Sequence, residues 1–178
     1  NEGVYTGRLL IAADGANGTT ARLAGVDMGF VHGVAYEGNL TPTDGVPDQW
    51  KAAVGLDFEA YPGGYAWVFP KRDHLNIGIG GWRFTGPTLR KKFSSMVKSY
   101  GFDPDDMWGV RGYRLPMRHN DAPLLDGNLL FVGDAAGLID PLTGEGIYSA
   151  IWSGKTAADT IFSYVQGEAP DLEGYRRA

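Results

Sequence analysis

The sequence contains no cysteine, and this absence excludes several kinds of chemistry. Without a thiol, the chain has no disulfide framework, no thiolate metal site and no cysteine nucleophile. Only three histidines occur, and none is spaced from another like the paired metal ligands of a helix, so we expect no metal site. The absence of cysteine fits a reducing compartment. We therefore expect a cytoplasmic protein, with membrane association left open.

Long hydrophobic runs are also absent, since no stretch approaches the ~20 apolar residues of a membrane-spanning helix. Positive charge is scarce: 16 Lys and Arg stand against 21 acids, and the net charge of −5 argues against a nucleic-acid partner. The charge is uneven, because residues 71–98 contain several Lys and Arg but one acid, Asp73. This segment is either a solvated helix face or a patch for an anionic head group or pyrophosphate.

Glycine, by contrast, is abundant, with 27 of 178 residues, about twice its usual share. An apolar run from Leu9 to Ala13 closes on Asp14-Gly15, which predicts a buried strand followed by a tight turn. Residues 30–81 hold short strand-like runs between turns and predict an antiparallel meander. Residues 86–101 have the apolar spacing of an amphipathic helix.

Residues 146–165 predict a long helix. Its expected inner face is the apolar set Ile147, Ala150, Ile151, Ala158, Ile161, Phe162 and Val165. The ends of the chain thus have an α/β pattern, whereas the middle resembles an antiparallel sheet with one helix. We predict an α/β (α+β) fold in which residues 1–27 and 125–178 form a partial Rossmann-like nucleotide-binding lobe. Residues 28–124 form an inserted antiparallel-sheet substrate lobe.

The most informative stretch is LLFVGDAAGLIDPLTGEGIYSA, residues 129–150. Its strand carries Asp134 out at the carboxyl end, where open α/β sheets bind ligands and where a carboxylate can accept hydrogen bonds from ribose hydroxyls. Gly144 and Gly146 keep side chains away from the start of the next helix, so its N–H groups and dipole face the ligand. These features predict a nucleotide cofactor with an electron-accepting ring. The alternatives are an ordinary glycine-rich turn and, for Asp134, a helix cap.

Two stretches resemble FAD-dependent oxidoreductases of the hydroxylase type. LLFVGDAAGLIDPLTGEGIYSAIWSG is similar to their G-D motif, and LLIAADGANGTTARLAG to their D-G motif, in which Gly18 replaces the usual serine. The resemblance implies that Asp134 holds ribityl or ribose hydroxyls and that residues 141–146 pass beside the flavin ring and pyrophosphate. The implied FAD-binding residues are Asp14, Gly15, Gly133, Asp134, Ala135, Pro141, Thr143, Gly144, Glu145 and Gly146.

A third motif, PGGYAWVFPK, is similar to the P-x-x-Y-x-W-x-F-P-K pattern of geranylgeranyl reductases. Tyr65, Trp67 and Phe69 alternate along a strand, so they point to one face and form what we call the aromatic wall. Such a wall suits a flat ring or a polyisoprenoid chain, and the alternative is ordinary core. The resemblance implies an FAD-dependent reductase of isoprenoid double bonds. Its implied substrate-binding residues are Tyr65, Trp67, Phe69, Pro70 and Lys71.

No residue stands out as a proton donor, although Tyr65 is the nearest candidate, and the reductant is not indicated. No complete G-x-G-x-x-G motif is present, so the chain resembles the C-terminal portion of such an enzyme. On its own we expect it to bind FAD weakly and to be inactive. The expected partner is an isoprenoid lipid. One alternative is a flavin-dependent monooxygenase or halogenase of aromatic substrates, and another is a non-catalytic electron-transfer or lipid-binding relative.

Overall fold

The computed structural model describes residues 3–59, 63–82 and 86–177. It divides into two compact units, Asn1–Val31 with Leu115–Ala178, and His32–Arg114. The sequence predicts boundaries after residues 27 and 124, whereas these units meet after residues 31 and 114. The chain crosses both boundaries inside continuous strands, so no turn marks either one in the sequence pattern.

The described residues form strands and helices of very different lengths. The strands are β1 (Leu10–Ala12), β2 (Val31–Leu40), β3 (Gly55–Asp57), β4 (Gly64–Pro70), β5 (Leu75–Gly81), β6 (Trp108–Met117), β7 (Leu125–Asp126) and β8 (Leu129–Phe131). The α-helices are α1 (Thr20–Leu23), α2 (Asp48–Lys51), α3 (Gly86–Ser99), α4 (Ile147–Val165) and α5 (Gly174–Arg177). Two short 3-10 helices cover Pro104–Asp106 and Gly133–Ala136.

The first unit contains a three-stranded sheet in the order β1–β8–β7. β1 is parallel to β8, and β7 is antiparallel to it. Strand β8 is buried along its whole length, as the sequence predicts. Because successive side chains point to opposite faces, Leu130 packs in a cluster with Ala157, whereas Phe131 packs in another with Ala12 and Met28. This strand therefore links the two small cores of the unit.

The second unit contains a five-stranded sheet in the order β3–β4–β5–β2–β6. Strands β3, β4 and β5 follow one another antiparallel, so the predicted meander is present for these three. Strand β2 pairs antiparallel with β5 instead of β3. The prediction of one meander through residues 30–81 is therefore wrong at β2, since strand pairing over this distance depends on tertiary contacts.

One face of this sheet forms the largest of the core clusters found among the described residues. Helix α3 supplies Leu89, Phe93 and Val97, which pack with residues of β4 and β5 such as Val68 and Ile77. Each of these five residues is at most 3% exposed. The amphipathic helix predicted for this segment is confirmed, and its apolar face is the one that the spacing indicates.

The predicted inner face of α4 is confirmed only at Ile161, which packs against the cluster of Leu130 and Ala157, and is wrong for the other six residues. Ile147, Ile151 and Phe162 are 75%, 69% and 62% exposed, whereas the residues that α4 buries are Ser153 and Ala157. Most sides of the helix carry apolar residues, so the pattern contains no single stripe to select the buried one. Small side chains face the sheet because they let the helix backbone approach it closely. Among the described helices, none combines the length and the apolar character needed to cross a membrane.

Candidate functional site

The candidate cofactor site begins where β8 ends. Gly133 has φ +54°, and a Cβ at this position would lie 3.1 Å from the Cβ of Ala150 on α4. A side chain would therefore be both strained and crowded here, and glycine relieves both problems. The chain then turns through the 3-10 helix to Gly137, which also has positive φ. This tight turn presents Asp134 at the carboxyl end of the strand, as the sequence predicts.

Asp134 lies in a cleft of about 470 Å³, which we call the Asp134 cleft. Its lining consists of Ala13, Gly15, Leu115, Val132, Gly133, Asp134, Ile139, Gly144, Gly146, Ile147 and Ala150. Burial raises the pKa of the Asp134 carboxyl above its ordinary value. Within residues 3–59, 63–82 and 86–177, no hydrogen bond to its carboxylate is formed. The acid has thus lost part of its hydration without a replacement donor, which favours a polar ligand in the cleft.

Gly146 closes one side of the Asp134 cleft. A Cβ at this position would lie 3.0 Å from Asp134 Oδ1 and 3.2 Å from the Ile139 side chain. Any larger residue would therefore press on the carboxylate or on the cleft lining. The start of α4 reaches Asp134 closely because this position has no side chain.

The loop before α4 uses most of its own polar groups. Asp140 Oδ1 accepts hydrogen bonds from the Leu142 N–H at 3.0 Å, the Thr143 N–H at 2.7 Å and the Thr143 hydroxyl at 2.8 Å. The Gly144 N–H donates to the Asp140 carbonyl at 2.8 Å. The Gly144 N–H is therefore not one of the donors that face the cleft. Thr143 and Asp140 build the loop, and Pro141 is an exposed residue within it.

Glu145 caps the start of α4. Its Oε1 accepts a hydrogen bond from the Tyr148 N–H at 2.8 Å, and its own N–H donates to the Thr143 hydroxyl at 3.2 Å. A carboxylate therefore already stands at the positive end of the helix dipole. In the described part of the chain, the N–H groups of Gly146 and Ile147 have no acceptor, so these two remain for a ligand.

The first predicted motif has a different geometry. Asp14 Oδ2 accepts hydrogen bonds from the Thr19 N–H at 2.7 Å, the Thr20 N–H at 2.9 Å and the Thr20 hydroxyl at 2.8 Å. Burial acts to raise the pKa of Asp14, but these hydrogen bonds outweigh it and hold the pKa below its ordinary value. A Cβ on Gly18 would lie 2.4 Å from the carboxyl carbon. Glycine in place of the usual serine thus makes room for a carboxylate that shapes its own loop.

The structure brings together five of the ten predicted cofactor residues. Gly15, Gly133, Asp134, Gly144 and Gly146 line the Asp134 cleft. Of the others, Ala135 is buried, and Asp14, Pro141, Thr143 and Glu145 are exposed residues outside the lining. Sequence reasoning missed the apolar members of the lining, such as Leu115 and Ile139. Leu115 arrives on β6 from a distant part of the sequence, and no local motif marks it.

The aromatic wall lies on the face of the second unit's sheet that α3 does not cover. Ring centroids of Tyr65 and Trp67 are 5.7 Å apart, and those of Trp67 and Phe69 are 6.0 Å apart. Phe58, which the sequence reading missed, extends the row at 5.7 Å from Tyr65. Burial raises the pKa of the Tyr65 phenol. Of the remaining predicted residues, Pro70 ends β4, and Lys71 is exposed in the following turn.

Trp67 is held flat against the sheet. It is only 8% exposed, and its indole N–H donates to Asn76 Oδ1 at 2.9 Å. A Cβ on Gly78, its partner on β5, would lie 2.0 Å from the indole ring. The bare backbone at Gly78 therefore provides the floor on which the ring rests.

No protein-family model matches the chain. A digeranylgeranylglycerophospholipid reductase of Methanosphaerula palustris is 32% identical over 89% of this chain and 41% of its own length. A chloroplastic geranylgeranyl diphosphate reductase of Oryza sativa is 30% identical over 85% of this chain and 33% of its own length. The chain thus spans between a third and about two fifths of these curated relatives.

Solved structures share the fold. A geranylgeranyl bacteriochlorophyll reductase-like protein of Thermoplasma acidophilum is 25% identical, with a TM-score of 0.82 over 96% of this chain and 45% of its own. More distant matches, at 16–22% identity, include flavin-dependent halogenases and an FAD-dependent monooxygenase, with TM-scores of 0.60–0.68. The predicted fold class is confirmed.

Substitution of Asp14 should lower the free energy of unfolding by an amount that depends on pH. Asp14→Ala removes a carboxylate that caps two N–H groups, which should cost about 1 kcal/mol at pH 7. Because the folded pKa lies below the unfolded value near 4, this stabilisation is present above about pH 4 and disappears as pH falls through the folded pKa. Urea denaturation at decreasing pH measures the difference. An equal loss at every pH would contradict the role, and Asp44→Ala, at an exposed acid, is the control.

Replacing glycine by alanine should have opposite effects on stability at Gly133 and at Gly154. Gly133→Ala should destabilise the protein by about 1–2 kcal/mol for positive φ, and further through overlap with Ala150. Gly154→Ala, in α4 with open space around its added methyl, should stabilise by roughly 1 kcal/mol. Thermal melting of the two variants checks the contrast. A neutral Gly133→Ala would mean that α4 lies farther from the turn.

The substitution Gly78→Ala tests the packing of the Trp67 indole ring against the Gly78 backbone. The added methyl should displace the indole, break its bond to Asn76 and destabilise the unit by about 1–3 kcal/mol. Gly112→Ala on β6 is the matched control, because its methyl meets neighbours at 3.6 Å, an ordinary contact. Near-ultraviolet circular dichroism and melting temperature report the two effects. An unchanged aromatic spectrum in Gly78→Ala would rule out the stacked arrangement.

Proposed function

Over the length that it spans, the chain belongs to the geranylgeranyl reductase family, and we propose that the whole protein is an FAD-dependent reductase of isoprenoid double bonds. The substrate class is an isoprenoid lipid or lipid precursor. The observation that carries the cofactor assignment is the partly buried Asp134 carboxylate, which faces a glycine-lined cleft without a donor from the described residues.

The residues of the Asp134 cleft fit FAD. The Asp134 carboxylate would accept hydrogen bonds from ribityl or ribose hydroxyls, and these donors would restore the hydrogen bonds that burial removes. The N–H groups of Gly146 and Ile147 would donate to carbonyl oxygens of the ring. Because Gly133, Gly144 and Gly146 have no side chains, a flat ligand can approach the backbone there.

The position of Glu145 favours a flavin ring, rather than the pyrophosphate of FAD, as the group that lies beside the start of α4. Its carboxylate bonds to the Tyr148 N–H, so a phosphate at the same place would meet a negative charge. Of the two groups that the family resemblance implies for residues 141–146, we therefore propose the flavin ring as the neighbour of Gly146. Asp14 and Gly15 would shape the loop near the dinucleotide.

The aromatic wall supports the substrate assignment. Phe58, Tyr65, Trp67 and Phe69 form a continuous row of rings on one sheet face, and such a row suits a long apolar chain. FAD, when bound and reduced, supplies a hydride to one carbon of the double bond, and a proton completes the other carbon. The Tyr65 phenol, whose pKa burial raises, would stay protonated at neutral pH. It is a candidate donor without an assigned role.

The basic face of α3 supports a peripheral contact with a membrane, which we propose as the place where a lipid substrate is met. Arg90, Lys91 and Lys98 surround Ser94 and Ser95 on the exposed side of the helix. Clustered positive charge of this kind is attracted to anionic lipid head groups. This contact is independent of the cofactor assignment.

The alternative function is that of a flavin-dependent monooxygenase or halogenase, since such enzymes share the fold at lower identity. A further alternative is a non-catalytic electron-transfer or lipid-binding flavoprotein. The aromatic wall and the reductase relatives favour alkene reduction over both. Oxygen-dependent hydroxylation or halogenation of an aromatic compound, without alkene saturation, would decide for the first alternative.

The function is tested with the complete protein, loaded with FAD and chemically reduced, and a geranylgeranyl lipid. We expect the lipid to gain two hydrogens for each saturated double bond, and mass spectrometry measures this gain. In the same protein, Asp134→Ala should weaken FAD binding about tenfold to a hundredfold, because charge-assisted hydrogen bonds contribute about 1.5–3 kcal/mol.

Asp159→Ala is the matched control, because this exposed acid on α4 pairs with Lys155 instead of facing the cleft. Unchanged FAD affinity in Asp134→Ala would reject the cofactor assignment. A flavin-loaded wild-type protein that leaves the lipid unsaturated would reject the reductase assignment.

A further inference from the structure

Ser153 is a polar residue in an otherwise apolar contact. It is 5% exposed, on the side of α4 that packs against the sheet. Its hydroxyl accepts a hydrogen bond from the Gly133 N–H at 2.9 Å and donates to the Ala150 carbonyl at 3.3 Å. The long helix is therefore joined through one hydroxyl to the residue that precedes Asp134.

The end of β8 is held from a second direction by the C-terminal helix. The Tyr175 hydroxyl donates to the Phe131 carbonyl at 2.6 Å, and Tyr175 is 4% exposed. Burial raises the pKa of this phenol to about 12, although the Ser153 hydroxyl and the charge of Arg118 act to lower it. Tyr175 therefore stays a proton donor throughout the neutral range. Contacts at Phe131 and Gly133 hold the strand end on either side of Val132.

We propose that Ser153 is a positioning residue, which directs the Asp134 carboxylate into the Asp134 cleft by holding the N–H of Gly133. This inference rests on the proposed function, since it takes Asp134 as the acceptor for flavin hydroxyls. Tyr175 takes part in the same restraint through the Phe131 carbonyl.

A hydroxyl is suited to this task for a geometric reason. Gly133 lies close to α4, where a Cβ would already be 3.1 Å from Ala150. Carbonyls in the middle of a helix are already bonded along the helix, so a side chain must supply the acceptor for a buried N–H. Serine reaches the Gly133 N–H with a short side chain. With alanine there, the N–H would lose its acceptor, and the turn carrying Asp134 would be free to shift.

The test is a double-mutant cycle on FAD affinity in the complete protein, measured by flavin fluorescence. Ser153→Ala alone should weaken FAD about tenfold, the equivalent of one buried hydrogen bond. In the Asp134→Ala background the same change should alter affinity by less than about twofold, because Ser153 acts through Asp134. Ser153→Thr, which keeps the hydroxyl, should restore most of the affinity.

Ser163→Ala is the control on the same helix, and it should leave affinity unchanged. Should Ser153→Ala fail to fold, Tyr175→Phe carries the same cycle, with the same expected coupling to Asp134. Equal losses in both backgrounds, or unaltered affinity in Ser153→Ala, would overturn the positioning role.

The experiments distinguish failure of the proposed function from failure of the positioning role. A wild-type protein that binds no FAD would overturn both conclusions. Coupling between Ser153 and Asp134 without alkene reduction would overturn the reductase assignment and leave the positioning role supported.

Discussion

The close approach of α4 to the end of β8 is the constraint on which the candidate cofactor site depends. Gly133 follows the end of β8 and Gly146 precedes α4, and a Cβ at either position would lie within 3.1 Å of a neighbouring atom. Ser153 and Ala157 face the sheet, because larger residues would push the helix away. The backbone is thus brought to Asp134 by small residues. Because these residues are small, the Asp134 carboxylate faces the cleft instead of a packed side chain.

The two acids that the motifs single out have opposite environments. Asp14 receives three hydrogen bonds from its own loop, which hold its pKa low. Asp134 receives none from the described residues, and burial raises its pKa. A satisfied carboxylate organises the chain, whereas an unsatisfied one in a cleft is available to a ligand. The environments of the two motif acids therefore fit different proposed roles, with Asp14 organising its own loop and Asp134 binding the ligand.

Local patterns predicted much of this arrangement, and long-range contacts account for the rest. Strand β8, the turn at Asp134 and the alternation of Tyr65, Trp67 and Phe69 follow from periodicity along a few residues. The buried side of α4 could not be predicted, because apolar residues cover most of its surface and tertiary packing selects Ser153 and Ala157. Leu115 enters the cleft, and β2 pairs with β5, through contacts between distant segments. Such contacts have no local signature in a single sequence.

At the start of α4, Glu145 offsets the attraction that a helix end usually has for anions. A helix N-terminus carries roughly half a positive charge, which usually favours phosphate. Here Glu145 brings a full negative charge to that end through its bond to the Tyr148 N–H. In the proposed site, the free N–H groups of Gly146 and Ile147 would therefore act as directional hydrogen-bond donors without a net attraction for anions. Donors of this kind suit the uncharged carbonyl oxygens of a planar ring, and the bare backbone at Gly144 and Gly146 leaves room for its edge.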